Sequence, residues 1–431
     1  MIRSRRTILW ALACAVGATA CGTDGPASSA TPEGLDGPDR ELAIETVELF
    51  GVGGFDAPDW ATFGRVSSVA FDETGLLYIF DDQAAQVTVV SPEGEYVRVV
   101  GRRGDGPGEL GRPMAMTVLR NGWVVVPDLG KRGLVVYDQR GEWQGNRVLD
   151  LAQEGVPSRG LRPTASGQVV SAEPLRVGAA PEANGSEPDT PGTRPVWLYP
   201  VAPGDSARRL MDAWDPPPPP EGGESRLEGS GGGGRGVMIQ MTRTRAFTPE
   251  LHLAPLPDGR VAVVDSVDYT IQLVGPDGQV DRLHRPVPPT PVTPELEEQE
   301  RSRRLDEIVE RSMGTRLQVI GGDGGLSVNP DAMRRMLEDQ VAQMVFFPEI
   351  PVVEELAADW DGRLWVQRSS GVPGQDGPTD VVTPEGGYLG TIPPEGLRIP
   401  DAFGPGGLAA YIELDELEVA TVRVVRLRVA S

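Results

Sequence analysis

The chain has 431 residues, of which 55 are glycine, 41 proline, 2 histidine and 2 cysteine, with 63 acidic against 40 basic side chains and a net charge of -23. Turn-forming residues this dense exclude a bundle of long helices, and two histidines with no Cys/His cluster around them do not offer the ligand spacings of zinc enzymes. The acidic surplus repels a phosphate backbone and excludes nucleic acid as a partner, since such binding needs a basic surface that releases counterions.

Residues 1–20 read as an export signal, with a basic start at Arg3, Arg5 and Arg6 and an apolar run from Ile8 to Ala18. Ala18-Thr19-Ala20-Cys21 resembles a bacterial lipobox, although leucine is usual where Ala18 stands. The resemblance implies cleavage before Cys21 and a lipid on that cysteine, so the expected membrane partner is reached through lipidated Cys21, with ordinary secretion after cleavage behind Ala20 as the alternative. Gly22 after the cysteine implies the outer membrane, so the expected location is the cell envelope. Residues 21–40 lack apolar periodicity and predict a flexible tether.

From residue 41 to 431 short alternating apolar runs are separated by tight-turn signals. The first set is Asp72-Glu73-Thr74-Gly75, Asn121-Gly122, Ser166-Gly167, Asp258-Gly259, Asp361-Gly362 and Gly406-Gly407. Successive glycines are 47, 45, 92, 103 and 45 residues apart, and the two long intervals contain insertions. Without those insertions the period is about 45, the length of a four-stranded propeller blade. A second set of turns, Ser91-Pro92-Glu93-Gly94, Asp138-Gln139-Arg140-Gly141, Gly275-Pro276-Asp277-Gly278 and Thr383-Pro384-Glu385-Gly386, completes the strand-turn-strand-loop-strand-turn-strand unit. The expected fold class is all-β: a six-bladed β-propeller of four-stranded blades. Its last unit has room for about three strands, so the alternating segment Ala43–Phe50 is expected to supply the fourth and close the ring.

The stretch from Gly101 to Gly141 carries Gly101, Gly104, Gly108, Leu110, Pro113, Gly122, Val126, Asp128, Arg132, Val135, Tyr137, Asp138 and Gly141 in the order of an NHL-type blade. It resembles the NHL-repeat and TolB-like propellers of bacterial envelopes. The resemblance is close over this one blade, looser over 43–429, and implies a fold but no substrate.

Two insertions differ in character. Residues 215–236 join a proline run to a glycine run and predict an exposed loop; no lysine follows the glycines, so they are not a phosphate loop. Residues 291–346 predict a helical insertion. Its first helix starts with Thr293 as cap and Pro294 at the first position, and its second follows Asn329 with Met333, Met336, Leu337, Val341 and Met344 on one face. That stripe reads as core packing, with a partner groove as the alternative.

Candidate chemistry is sparse. No GxSxG elbow or HExxH occurs, and His252 and His284 stand apart as strand-surface or packed residues. Asp81, Asp82, Asp128 and Asp265 recur at the ends of second strands. Carboxylates there lock loop amides; the alternative sets them around the central channel as oxygen ligands for Ca²⁺. Asp359-Trp360-Asp361-Gly362 is only a fragment of a calcium loop. The resulting functional expectation is an envelope-anchored scaffold, without a cofactor, that binds a protein, peptide or glycan through loops at one end of the ring. The alternative is a Ca²⁺-type lactonase or hydrolase at the channel mouth.

Overall fold

The computed structural model describes residues 35–151, 154–157, 159–172, 192–202, 205–218, 225–230, 236–241, 244–314 and 330–429. The export signal, Cys21 and the first part of the tether lie outside these residues.

Alternating apolar residues and glycine turns build six four-stranded antiparallel sheets, each in simple up-and-down order. Blades one to five begin with the strands Val66–Phe71, Thr117–Val118, Arg159–Pro163, His252–Pro255 and Val353–Ala358. Blade six is assembled from both regions of the chain: Ala402–Phe403, Leu408–Leu414, Ala420–Val429 and, as its outer strand, Ile44–Gly53. The last pair runs from Ile44 opposite Val429 to Gly53 opposite Thr421, with one bulge near Phe50. The predicted closure by an N-terminal strand is therefore present, and longer than the alternating segment that signalled it.

The first hairpin of every blade turns on a glycine from the first sequence register. Gly75 and Gly122, for example, have φ of 84° and 82°, a left-handed conformation in which a Cβ is disfavoured. First strands neighbour one another around the ring and therefore surround its axis.

Six apolar clusters fill the six inter-blade interfaces. Tyr78, Phe80 and Val89 of blade one pack on Val118, Val126 and Tyr137 of blade two. Leu134 and Val136 meet Val169 and Tyr199 between blades two and three, and Val170 and Val196 meet Val261 and Val263 between three and four. Ala262 and Ile271 face Leu356 and Leu364 between four and five, while Trp365 and Val381 face Tyr411 and Val425 between five and six. Val69 and Ile79 meet Ala410 and Val424 to complete the circle. Each fully buried large side chain in these layers contributes about 1.5–3 kcal/mol of transfer free energy.

Up-and-down order gives the ring two unlike faces. First and third turns of each blade emerge at one end, which we call the hairpin face. Second turns and the connections between blades emerge at the other. All three long excursions leave from this second end: 173–191 between the second and third strands of blade three, 215–251 between blades three and four, and 285–352 between blades four and five. We call it the insertion face.

The helical insertion contains α1 (Pro294–Gly314) and α2 (Pro330–Ala342). Its stem is stapled by Thr290–Pro291 pairing with Glu349–Ile350. Met336, Val341 and Met344 are buried, the last two with Ala246 and against Ile308 and Phe346. These side chains are thus core, as expected from the spacing of the stripe; the side chain of Met333 lies outside the described residues.

Two expectations need correction. The tether predicted over 21–40 ends earlier, because Leu35 is buried in the interface of blades four and five and Arg40 hydrogen-bonds blade five. The loop predicted over 215–236 contains the strand Ser225–Ser230, paired with Gly236–Met241. These six-residue segments contain no proline, so their backbones are free to form a ladder.

Candidate functional site

The four sequence-selected carboxylates separate into two behaviours. Asp81 ends the second strand of blade one and accepts the backbone N–H groups of Gly64 (2.7 Å), Arg65 (3.2 Å) and Ala84 (2.9 Å). Asp128 does the same in blade two for Gly111 (2.7 Å), Arg112 (2.9 Å) and Lys131 (3.0 Å). Asp265 takes the Trp214 N–H at 2.6 Å and the Gln272 amide at 2.8 Å. All three are buried; Asp81 and Asp128 tie the incoming inter-blade chain to the blade it enters, whereas Asp265 of blade four ties down the end of the outer strand of blade three. Asp82 instead is half-buried and pairs with exposed Arg65 at 2.7 Å. None of the four lines the channel, and their oxygens are occupied by loop amides or a guanidinium. Asp359, from the calcium-loop fragment, accepts the turn amides of Asp361 and Arg363. Among the described residues no three His, Cys, Asp or Glu side chains converge as metal ligands.

The channel itself is a cavity of about 330 Å³ lined by the first strands of all six blades. Its charged wall comes from positions the sequence did not single out. Arg162 of blade three faces Glu355 of blade five and Asp401 at the entry to blade six. Dense protein surroundings lower the Arg162 pKa, while Glu355 and Asp401 pull it back up. Desolvation, then the nearby Asp401, pushes the Glu355 carboxyl up against the opposing effects of Arg162 and Arg398. Asp401 accepts the Ile412 N–H at 2.8 Å and Arg398 at 2.9 Å. At the hairpin end Arg120 lies 4.5 Å above the Trp360 ring, whose N–H donates to the Phe403 carbonyl at 2.7 Å. The signal available in the sequence was a charged residue, Arg162 or Glu355, inside a short strand that also carries core residues.

A second cavity of about 330 Å³ opens on the insertion face, where α1 leans over blades four and five. His252 starts the first strand of blade four, and Glu354 is the second residue of the first strand of blade five. These strands are ring neighbours, so both side chains line the cavity. The roof is Glu300, Arg303 and Arg304 of α1, and Phe247, Ile350, Val353 and Val372 supply apolar wall. Buried Glu300 holds this roof together, accepting from Arg303 at 2.7 Å and Arg304 at 2.8 Å.

The same enclosure acts on the two titratable groups in opposite chemical senses. Burial, reinforced by Arg194, lowers the His252 pKa to about 4, so its imidazole is neutral at physiological pH. Burial raises the Glu354 carboxyl, although the Ser369 hydroxyl bond partly offsets it; Asp376 raises it further. His284, by contrast, is exposed and its Nδ1 sits 3.1 Å from the Thr270 hydroxyl. A single histidine in a sequence cannot reveal which of these environments it will meet.

Comparison with known proteins follows the fold. Residues 56–157 match the family model DUF5128, described as a 6-bladed beta-propeller. No curated protein matches the chain significantly. Among solved structures, a candidate exported protein from Bacteroides fragilis is similar with a TM-score of 0.47 at 10% identity, over 90% of this chain and 96% of that one. A DUF4221 family member from Bacteroides vulgatus gives 0.45 at 8% identity, over 91% and 100%. A gluconolactonase from Xanthomonas campestris gives 0.39 at 14% identity, over 94% and 99%. At such identities the likeness concerns architecture and says nothing of ligand or reaction.

Proposed function

We propose that this chain is an envelope-anchored β-propeller that serves as a binding scaffold and engages an envelope polypeptide or glycan through its insertion face. The observation that carries the reading is topological: the strands flanking all three long excursions stop at one end of the ring, the end at which the cavity under α1 opens. Binding loops displayed from a closed, rigid ring are a common use of such scaffolds. The cavity chemistry supports the same reading. A neutral imidazole and an apolar wall beneath the Glu300–Arg303–Arg304 cluster suit polar groups such as peptide amides or sugar hydroxyls. Anchoring rests on the sequence pattern Ala18-Thr19-Ala20-Cys21, which supports a lipid on Cys21 and a position at the outer membrane.

The paired ends at Thr290 and Ile350 allow the helical insertion to be replaced by a short Gly-Ser link without opening blades four or five. Recovery of envelope partners by chemical crosslinking is compared between the full anchored chain and this variant. Loss of a specific partner supports the reading, whereas identical partner sets reject the helical insertion as a binding element.

A further inference from the structure

The segment from Leu35 to Leu42 crosses three blades before it becomes the closing strand. Leu35 is buried in the interface of blades four and five, and Leu42 in that of blades five and six. Between them Asp39 reaches two arginines from different blades: Arg285, just after the outer strand of blade four, at 2.8 Å, and Arg368, at the end of the second strand of blade five, at 2.5 Å. The guanidinium side chains are only 3% and 10% exposed, while Asp39 is 51% exposed. A half-solvated carboxylate therefore covers two buried cations.

Charge accounting shows why it is needed. The remaining acid beside both arginines is Asp380, fully buried, with its Oδ2 3.6 Å from Arg285 and 3.3 Å from Arg368. Two buried cations facing one buried carboxylate leave one positive charge uncompensated, and unpaired buried charge is strongly unfavourable. Asp39 supplies the balancing anion. Arg285 also stacks 4.2 Å from the centre of the Tyr388 ring. A hydrogen-bond relay joins the segment to the same centre: the Arg40 N–H donates to the Tyr388 hydroxyl (3.0 Å), which contacts the Thr391 hydroxyl, which donates to Asp380. The Arg40 carbonyl and Leu42 N–H complete backbone bonds to Thr391 at 2.7 and 2.8 Å.

We propose that Arg285 and Arg368 form a carboxylate-binding site on the propeller rim whose resident ligand is the chain's own Asp39, making residues 35–42 a strap that locks blades four, five and six together. Because the strap lies between residues 1–34 and the closing strand, it also takes the first load when the N-terminal region is pulled. The inference stands independently of what the insertion face binds.

Chemical rescue tests it. In the full chain, Asp39→Ala removes the ligand and leaves the two arginines in place. The expected results are a lowered melting temperature and amide exchange at residues 40–42 faster by roughly tenfold or more, a factor matching loss of charge-assisted bonds. Sodium formate or acetate should restore the melting temperature saturably, beyond sodium chloride at equal ionic strength, and the rescue should vanish when Arg368→Met is added. If the alanine variant does not fold, Asp39→Asn is measured through the same anion series. Unchanged stability in the variant that folds, or equal recovery with chloride, overturns the proposal.

Discussion

Asp128 offers a quantitative test of how the ring is locked. It is wholly buried, and its carboxylate accepts three backbone N–H groups within 3.0 Å, two from the chain entering blade two and one from the following turn. Asp128→Ala leaves all three donors without their acceptor. At a net cost of about 1–1.5 kcal/mol for each, the variant should lose roughly 3–4 kcal/mol of unfolding free energy. Asp128→Asn retains one acceptor oxygen and should lose about half as much. Asp82→Ala is the matched control, since Asp82 pairs with an Arg65 side chain that is 67% exposed, and such a pair contributes about 0–1 kcal/mol. Equilibrium urea titration at pH 7, with equal m-values confirming comparable unfolding, measures all three. A loss under about 1 kcal/mol for Asp128→Ala, or equal losses for Asp128→Ala and Asp82→Ala, would refute the loop-lock reasoning.

Three further outcomes follow from the geometry. Deleting residues through 55 removes the strand that pairs with Thr421–Val429, so the chain should lose cooperative thermal unfolding or associate through the bared edge; an unchanged melting temperature in a monomer contradicts closure. Because His252 is held at a pKa of about 4 against an ordinary 6.5, the unfolded chain binds the extra proton between those values. Stability from this group is complete above about pH 6.5 and falls as pH drops toward 4, by at most about 3 kcal/mol, and His252→Gln should flatten that slope in pH-dependent urea titrations. In Gly133→Ala the new Cβ would sit 1.9 Å from the Arg147 carbonyl oxygen, so the third and fourth strands of blade two must part, at a cost of about 2–3 kcal/mol in the same titration.

The ring was legible because its determinants are local and repeated. Gly75, Gly122, Gly167, Gly259 and Gly362 each need only their own turn to be recognised, and the alternation in Ala43–Phe50 marks a strand without reference to its partner. Asp81 and Asp128 were visible for the same reason, as both stand at a fixed place after a second strand. The functional surroundings were not legible, because they join residues far apart in the chain. Asp39 meets Arg285 and Arg368 across 246 and 329 residues, and no sequence period relates them. The environment of His252 depends on Glu354 and on α1, which reach it only after blades four and five close. The tether boundary was misplaced because Leu35 and Leu42 are isolated apolar residues in a polar stretch, and only the finished interfaces give them somewhere to pack.

The central functional claim, that the insertion face does the binding, is tested most directly by placing a photo-crosslinking residue at Val372 beside the cavity and, separately, at Glu93 in a hairpin-face turn of the anchored chain. Irradiation in intact envelopes should give a discrete adduct from position 372 and none from position 93. Adducts from position 93 alone, or the same adduct from both faces, would contradict the account.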